Sequence, residues 1–189
     1  MKAGNVESPA RPAVEVHLVP MRRRHLRSVL RIEGQVYPRP WTLTLFLSEL
    51  SLHSSRHYVV ARIDGKVVGY AGLMVSLDEG HVTNIAVDPA WQRHQIGSRL
   101  LLSLHRAALD RGVRHMTLEV RVSNTGAQSM YRRFGYETEG LRKNYYAETR
   151  EDALIMWAHD IDSAAHAARL ASIEEGIRGV TVDETGGEG

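Results

Sequence analysis

The chain has 189 residues, of which 43% are hydrophobic and 24% are charged, and these values are ordinary for a globular protein. The formal net charge is only +2, which argues against a protein built mainly to bind nucleic acid. There are no cysteines, so disulfides, thiolate nucleophiles and thiolate metal sites are excluded. The sequence has no signal-peptide pattern and no apolar run approaching about 20 residues, which predicts a cytoplasmic protein without a membrane span.

The two ends of the chain differ in composition from its centre. Residues 1–13 contain proline and glycine but few hydrophobic side chains, and they are predicted to form a disordered leader. A single α/β domain is predicted over residues 14–160. An alanine-rich C-terminal helix is predicted over 161–176, followed by a disordered acidic tail over 177–189.

The first half of the chain predicts alternating strands and helices. In order, these are a strand over residues 14–19, a helix over 21–34 ended by Gly34, a helix over 43–52 capped by Thr42, and strands over 57–63 and 67–75 joined by an Asp64-Gly65 hairpin turn. The first helix carries five arginines. A solvated face is the ordinary interpretation of such a helix, and attraction to ribosomal RNA or an acidic partner is the alternative.

The stretch after a turn at Asp78-Glu79-Gly80 is the most informative part of the sequence. Residues 82–87 read as a mostly buried strand that Asp88-Pro89 ends, and a helical apolar stripe begins at Ile96. Between them lies Q-R-H-Q-I-G, residues 92–97, which matches neither of the common phosphate-binding glycine motifs. A turn that brings backbone N–H groups to a helix N-terminus still suits an anion such as phosphate. A plain strand–turn–helix connection is the alternative.

The second half of the chain places polar residues beside this turn. A strand over residues 113–122 puts Glu119 on the face opposite its apolar residues, where a solvent-facing role is the simplest interpretation. A short helix capped by Asn124 puts Tyr131 on its inner face, where core packing is the simplest role. Strands are predicted over 136–141 and 152–157, with a polar, aromatic loop over 144–148 between them.

Four runs of residues, taken together, resemble a known family. They are N-I-A-V-D-P-A-W-Q-R-x-x-I-G-x-x-L-L, L-E-V-R-x-S-N, Y-x-x-F-G-Y and R-x-N-Y-Y, in this order. They resemble the GNAT superfamily of N-acetyltransferases and, within it, the bacterial ribosomal-protein-alanine N-acetyltransferases. The resemblance covers residues 14–160 and implies the GNAT fold, with a mixed, mostly antiparallel sheet, splayed central strands and helices on both faces. It also implies acetyl-CoA as co-substrate.

The resemblance implies a role for individual residues. Glu119 matches the family's general base, and Tyr131 matches its general acid. The cofactor-binding residues that it implies are Ile85, Ala86 and Val87 on the strand, Arg93, His94, Gln95, Ile96, Gly97 and Ser98 in the diphosphate turn, and Asn124. Gln95 stands where the family usually has a glycine. Substrate-binding residues are expected in the loops, namely Tyr37, Trp41, Tyr145 and Tyr146.

The implied reaction is direct transfer of an acetyl group to the N-terminal α-amino group of a protein, such as the N-terminal alanine of a ribosomal protein. Acetylation of lysine side chains or small amines is one alternative. A CoA-binding or partner-binding module without turnover is another, since Gln95 departs from the family motif. No metal site is expected, because the histidines lack the H-x-x-x-H and H-E-x-x-H spacings. Neither direct nucleic-acid binding nor membrane binding is expected.

Overall fold

The computed structural model describes residues 14–186, so the predicted leader over 1–13 and residues 187–189 lie outside the described part of the chain. The strands of that part are β1 (Glu15–Pro20), β2 (Arg56–Ile63), β3 (Lys66–Ser76), β4 (Glu79–Val87), β5 (His115–Arg121), β6 (Glu137–Tyr146), β7 (Glu151–Ala158) and β8 (Val180–Asp183). The α-helices are α1 (Leu26–Val36), α2 (Leu43–Ser51), α3 (Ile96–Leu109), α4 (Thr125–Arg133) and α5 (Ala164–Glu175). No helix within residues 14–186 has the length and apolar character needed to cross a membrane.

All of these strands belong to one sheet, in the order β6-β7-β5-β4-β3-β2-β1-β8. The pairs β4–β5 and β1–β8 are parallel, and the other neighbours in the sheet are antiparallel. The predicted mixed, mostly antiparallel sheet is therefore confirmed. Asp64 and Gly65 both have positive φ, as a two-residue hairpin turn between twisted strands requires.

The sheet carries an apolar core on each face. On one face, α3 packs on β1 to β4 through buried residues such as Leu100 and Leu104. On the other face, α1 and α2 form a second cluster in which the Phe46 ring lies edge-on to Tyr70, with 5.8 Å between ring centroids. Helices on both faces bury the sheet from both sides, as predicted.

The centre of the sheet is split. The pairing of β4 with β5 covers only Glu79–His81 against 115–117. Farther along β4, the register with β3 shifts because Leu73 pairs with Val82 and Gly72 pairs with Asn84, which leaves Thr83 as an extra residue. Such a bulge bends the strand that carries it. β4 therefore diverges from β5, and the predicted splay of the central strands is confirmed.

Three predicted boundaries are wrong. The turn before β4 is at Leu77-Asp78 rather than at 78–80, and Glu79 and Gly80 belong to β4 and pair with β5. Gly34 does not end the first helix, because its backbone stays helical and α1 continues to Val36. The strand β6 runs to Tyr146, so the aromatic pair predicted in a loop lies at a strand end.

The C-terminal region is also more ordered than its composition predicts. The helix α5 is present and is capped by Ser163, whose hydroxyl accepts the backbone N–H of His166 at 3.2 Å. The prediction of disorder from residue 177 is wrong for Val180–Asp183, which pairs in parallel with β1. An outer sheet edge offers unpaired backbone groups, and this short segment satisfies them.

Candidate active site

The divergence of β4 and β5 opens a cleft of about 780 Å³. The predicted site residues that line it are Tyr37, Trp41, Ile85, Ala86, Val87, Arg93, Gln95, Ile96, Gly97, Ser98, Glu119, Asn124, Tyr131, Tyr145 and Tyr146. His94 is the exception, because its ring stacks obliquely on Trp91, with 5.5 Å between centroids, and a ring nitrogen lies 3.2 Å from the Trp91 carbonyl. One cleft therefore brings together residues from both halves of the chain.

The exposed edge of β4 forms one wall of this cleft. The N–H of Asp88 donates to the Val68 carbonyl on β3 at 2.8 Å. Because neighbouring residues of a strand direct their backbone groups to opposite edges, Ala86 also faces β3, whereas Ile85 and Val87 face the opening. The Tyr37 hydroxyl donates to the Ile85 carbonyl at 2.8 Å, and that oxygen keeps a second lone pair. This edge can pair with an extended, amide-bearing ligand.

The start of α3 forms the end wall. Gln95 caps the helix in the left-handed region, with φ 58° and ψ 20°. The first N–H groups of an α-helix have no acceptor within the helix, so those at Ile96, Gly97 and Ser98 are available to an anion. A side chain at Gly97 would place a Cβ 3.2 Å from the Met130 sulfur, so glycine permits the close approach of α3 and α4.

Glu119 lies on β5, and its side chain is 11% exposed. Its Oε2 atom lies 2.6 Å from Nε2 of His81, and its Oε1 atom lies 3.3 Å from a guanidinium nitrogen of Arg142. The hydrogen bond from His81, assisted by the charge of Arg142, lowers the pKa of the Glu119 carboxyl despite its partial burial. The carboxylate is therefore ionised at neutral pH and can accept a proton.

Tyr131 lies on α4 and is buried, with its ring centroid 5.8 Å from that of Tyr136. Burial raises the pKa of the Tyr131 hydroxyl, so this group holds its proton at neutral pH. The helix α4 is capped by Asn124, whose side chain accepts the Ala127 N–H at 3.1 Å while also lining the cleft. Asn124 is therefore both the N-cap of α4 and a residue of the cleft wall.

Aromatic side chains border the cleft at the end of β6. The Arg121 guanidinium lies 3.7 Å from the centroid of the Tyr146 ring. It also forms ion pairs with Glu148 at 2.7 Å and with Glu151 at 3.0 Å. Charge pairs of this kind fix a strand end and the turn that follows it, so Arg121 holds the Tyr145-Tyr146 pair at the cleft.

A buried carboxyl holds the opposite border. Glu33 accepts the Trp41 N–H at 2.9 Å and also a hydrogen bond from the Tyr70 hydroxyl. Burial raises the pKa of the Glu33 carboxyl. The Trp41 ring packs on Phe46, with 5.3 Å between centroids, and it also lines the cleft. Trp41 therefore packs in the core and also lines the cleft, where it was predicted to bind substrate.

The sequence interpretation did not identify His81, Arg142, Glu33 or Arg121 as part of this site. Each acts on a residue distant in the chain, and His81 reaches Glu119 because it pairs with Thr117 across the one paired stretch of β4 and β5. Within residues 14–186 there is no group of three or more potential ligands that could hold a metal ion.

The cleft suits a donor that has a diphosphate, an extended arm with amide groups, and an acyl group at the end of that arm. The α3 N-terminus can hold a diphosphate, the Ile85–Val87 edge can pair with amides, and Glu119 and Tyr131 lie in the same cleft as that edge. A thioester of coenzyme A has these parts. Together with the split sheet, they are typical of an acyltransferase that takes its acyl group from coenzyme A.

Comparisons with known proteins give the family. The acetyltransferase (GNAT) family profile matches residues 26–136. The [ribosomal protein bS18]-alanine N-acetyltransferase of Escherichia coli (strain K12) is 37% identical over 135 residues, which cover 69% of this chain and 88% of that protein. The N-alpha-acetyltransferase RimI of Mycobacterium tuberculosis is 40% identical over 131 residues, which cover 66% of this chain and 80% of that protein.

A solved structure agrees with these relatives. The crystal structure of the ribosomal-protein-S18-alanine N-acetyltransferase from Escherichia coli matches with a TM-score of 0.70 and 33% identity, covering 77% of this chain and 94% of that one. The chain belongs to the GNAT acetyltransferase family, and acetyl-CoA is its acetyl donor.

Proposed function

We propose that this protein transfers the acetyl group of acetyl-CoA to the N-terminal α-amino group of a protein, and that a ribosomal protein with an N-terminal alanine is its substrate. The names of the relatives support the acceptor class. One structural observation carries the proposal, namely that a single cleft joins the free β4 edge, the start of α3, Glu119 and Tyr131.

Glu119 is the general base in this proposal. An α-amino group has a pKa of about 8, so most of it is protonated and not nucleophilic at neutral pH. The Glu119 carboxylate, kept ionised by His81 and Arg142, takes the proton directly or through one water molecule. The freed amine is then the nucleophile, and no covalent enzyme intermediate is needed.

Tyr131 and the β4 backbone serve the other side of the reaction. Bound acetyl-CoA supplies an activated acyl carbon and a thiol leaving group. Tyr131 holds a proton at its hydroxyl, and we assign it the role of general acid toward the departing sulfur. Backbone N–H groups on the open edge of β4 are suited to hold the carbonyl oxygen as negative charge develops on it.

The borders of the cleft select the acceptor. Tyr37 and Trp41 on one side and Tyr145 and Tyr146 on the other leave a groove that an extended N-terminal peptide can enter. The carboxylates of Glu119 and Glu148 also line this cleft, where each is paired with an arginine.

The test is an acetylation assay that separates α-amines from side-chain amines. The purified protein and acetyl-CoA are incubated with an alanine-start peptide, with the same peptide carrying a blocked N-terminus and one internal lysine, and with a small amine. Products are located by mass spectrometry. We expect acetylation at the N-terminal α-amine of the first peptide only.

Acetylation confined to the lysine of the blocked peptide would replace the proposal with a lysine acetyltransferase. Binding of acetyl-CoA without product from any acceptor would favour the non-catalytic alternative. A second arm compares N-terminal peptides of the cell with and without the gene, where the proposal expects an alanine-start ribosomal protein to lose its acetyl group.

A further inference from the structure

One side of α3 and its N-cap residue form hydrogen bonds with the C-terminal segment, which we define as residues 176–185. The side-chain amide of Gln95 accepts the Arg178 N–H at 2.9 Å and donates to the Gly176 carbonyl at 3.0 Å. One turn on, Arg99 donates to the Val180 carbonyl at 3.0 Å, and also to the Thr181 hydroxyl and the Arg178 carbonyl. After a further turn, the hydroxyls of Ser103 and Thr185 lie 3.2 Å apart.

Gln95 is the N-cap of α3, and Arg99 and Ser103 lie within the helix. The three residues follow one another at intervals of four, so they form a continuous polar stripe along one side of the helix. The stripe lies on a helix that is otherwise largely buried. Arg99 is only 1% exposed, and its partners are carbonyls and a hydroxyl of the C-terminal segment. A buried guanidinium is stable only when such acceptors surround it, so this segment is a required part of the α3 environment.

The stripe ends in the turn that faces the cleft. Gln95 and Arg93 both have positive φ, 58° and 65°, a backbone conformation that residues other than glycine rarely adopt. Strained backbone of this kind persists only where surrounding contacts hold it. For Gln95 those contacts are the two hydrogen bonds to the C-terminal segment, and they draw the side-chain amide onto that segment.

We propose that the C-terminal segment, through Gln95, positions the α3 turn for the diphosphate of acetyl-CoA. A glycine at this place would keep the turn open by having no side chain, whereas here a side chain is held against the segment. Gln95 is therefore a positioning residue, and Arg99 supports it by anchoring the same segment. The inference rests on acetyl-CoA as the donor and does not depend on the identity of the acceptor.

The test measures acetyl-CoA binding by titration calorimetry, without any amine substrate, on Gln95→Ala, Arg99→Met and the double variant. The matched control is Arg106→Ala, which removes an exposed ion pair between α3 and Glu174 at 2.6 Å but touches neither the turn nor the cleft. Thermal unfolding of each variant is recorded beside its Kd. Steady-state KM values for acetyl-CoA and for the acceptor peptide are also measured.

We expect Gln95→Ala and Arg99→Met each to raise the Kd for acetyl-CoA by about tenfold. Because both residues act through one segment, the Kd of the double variant should be no higher than that of the weaker-binding single variant. The KM for acetyl-CoA should rise while the KM for the peptide stays constant. Arg106→Ala should leave the Kd unchanged.

An unchanged Kd in Gln95→Ala, whatever its thermal stability, would overturn the inference. Gln95 would then only anchor the C-terminal segment, without an effect on acetyl-CoA binding. An equal rise in Kd for Gln95→Ala and Arg106→Ala would also overturn it, because general loosening would then explain both. Should Arg99→Met fail to fold, the comparison of Gln95→Ala with Arg106→Ala decides alone. Failure of peptide acetylation affects only the proposed acceptor.

Discussion

The ionisation of Glu119 depends chiefly on one neighbour. The hydrogen bond from His81 lowers the pKa of the carboxyl most strongly, Arg142 lowers it less, and burial opposes both. A carboxyl with a lowered pKa stays ionised to lower pH. Because Glu119 takes its proton from an amine that binds protonated, we therefore expect kcat/KM for the peptide to stay constant between about pH 6 and pH 7.5, below the acceptor pKa of about 8, with no step due to Glu119.

Replacing His81 should change this profile. In His81→Ala, burial raises the pKa of Glu119 without the opposing hydrogen bond, so the acid limb of kcat/KM should move to higher pH. Arg142→Ala is the control, and its shift should be smaller because Arg142 makes the smaller contribution. Profiles of His81→Ala and the wild type that superimpose would show that His81 does not tune the base.

Tyr131 offers a second residue-scale prediction. Tyr131→Phe keeps the ring but removes the proton donor, so kcat should fall by about 10²-fold while acetyl-CoA still binds. Tyr136→Phe is the matched control, because the Tyr136 hydroxyl is buried without a hydrogen-bond partner in the described part of the chain. Its kcat should not change, and equal losses in both variants would remove Tyr131 from the reaction.

Glu119 and Tyr131 could be named from the sequence because the runs that carry them resemble the acetyltransferase family. Strand alternation and helical periodicity alone favoured a solvent-facing role for Glu119 and core packing for Tyr131. His81 could not, because it lies 38 residues from Glu119 and meets it only through the register of β4 and β5. The structure places Glu119 and Tyr131 in one cleft, and their catalytic roles stay predictions until the variants are measured.

At the scale of elements, the bulge on β4 opens the cleft and leaves little space opposite it. A Cβ at Gly72 would lie 2.2 Å from a Tyr58 ring carbon, 2.6 Å from the Thr83 hydroxyl and 2.7 Å from the Asn84 side chain. Gly72→Ala should therefore lower the free energy of unfolding by about 1–3 kcal/mol, measured by denaturant titration.

Gly34→Ala is the matched control for this change. A Cβ at Gly34 meets no atom within 4 Å, and the residue lies within α1. Alanine there should raise the free energy of unfolding by about 0.5–1 kcal/mol. A Gly72→Ala protein as stable as the wild type would show that the bulge can relax.

The contact of α3 with α5 should make stability depend on pH. His105 and His166 lie in this contact, with ring nitrogens 3.1 Å apart. Burial lowers the pKa of His105 from 6.5 to about 3 and also lowers the pKa of His166, with Arg169 adding to the latter. Between about pH 3 and pH 6.5, the unfolded chain binds a proton at His105 that the folded chain does not bind. The free energy of unfolding should therefore fall as the pH drops below about 6.5.

His105→Phe tests that dependence. The slope of unfolding free energy against pH should become less steep in the variant, since each buried histidine contributes up to about 1.4 kcal/mol per pH unit. Denaturant titrations between neutral pH and about pH 4 measure both slopes. Identical slopes for the two proteins would show that His105 is not the titrating group.

At the scale of the whole molecule, the sheet and its helices could be predicted because strand alternation and helical periodicity are local properties. The C-terminal strand could not, because Val180–Asp183 is short and its partners on α3 lie about 80 residues earlier in the chain. The sequence of α3 does contain one indication that a further segment packs on this helix. Arg99 and Ser103 interrupt the apolar residues of α3, and buried polar residues on a helix require a partner.

In the proposed reaction, Glu119, in the cleft between β4 and β5, makes the acceptor amine nucleophilic. The most direct measurement compares Glu119→Gln with the wild type in acetylation of an alanine-start peptide, with acetyl-CoA binding measured on the same samples. We predict an unchanged Kd for acetyl-CoA and a rate at least about 100-fold lower, because glutamine keeps the shape but cannot take the proton. A variant that acetylates the peptide at the wild-type rate would contradict the account.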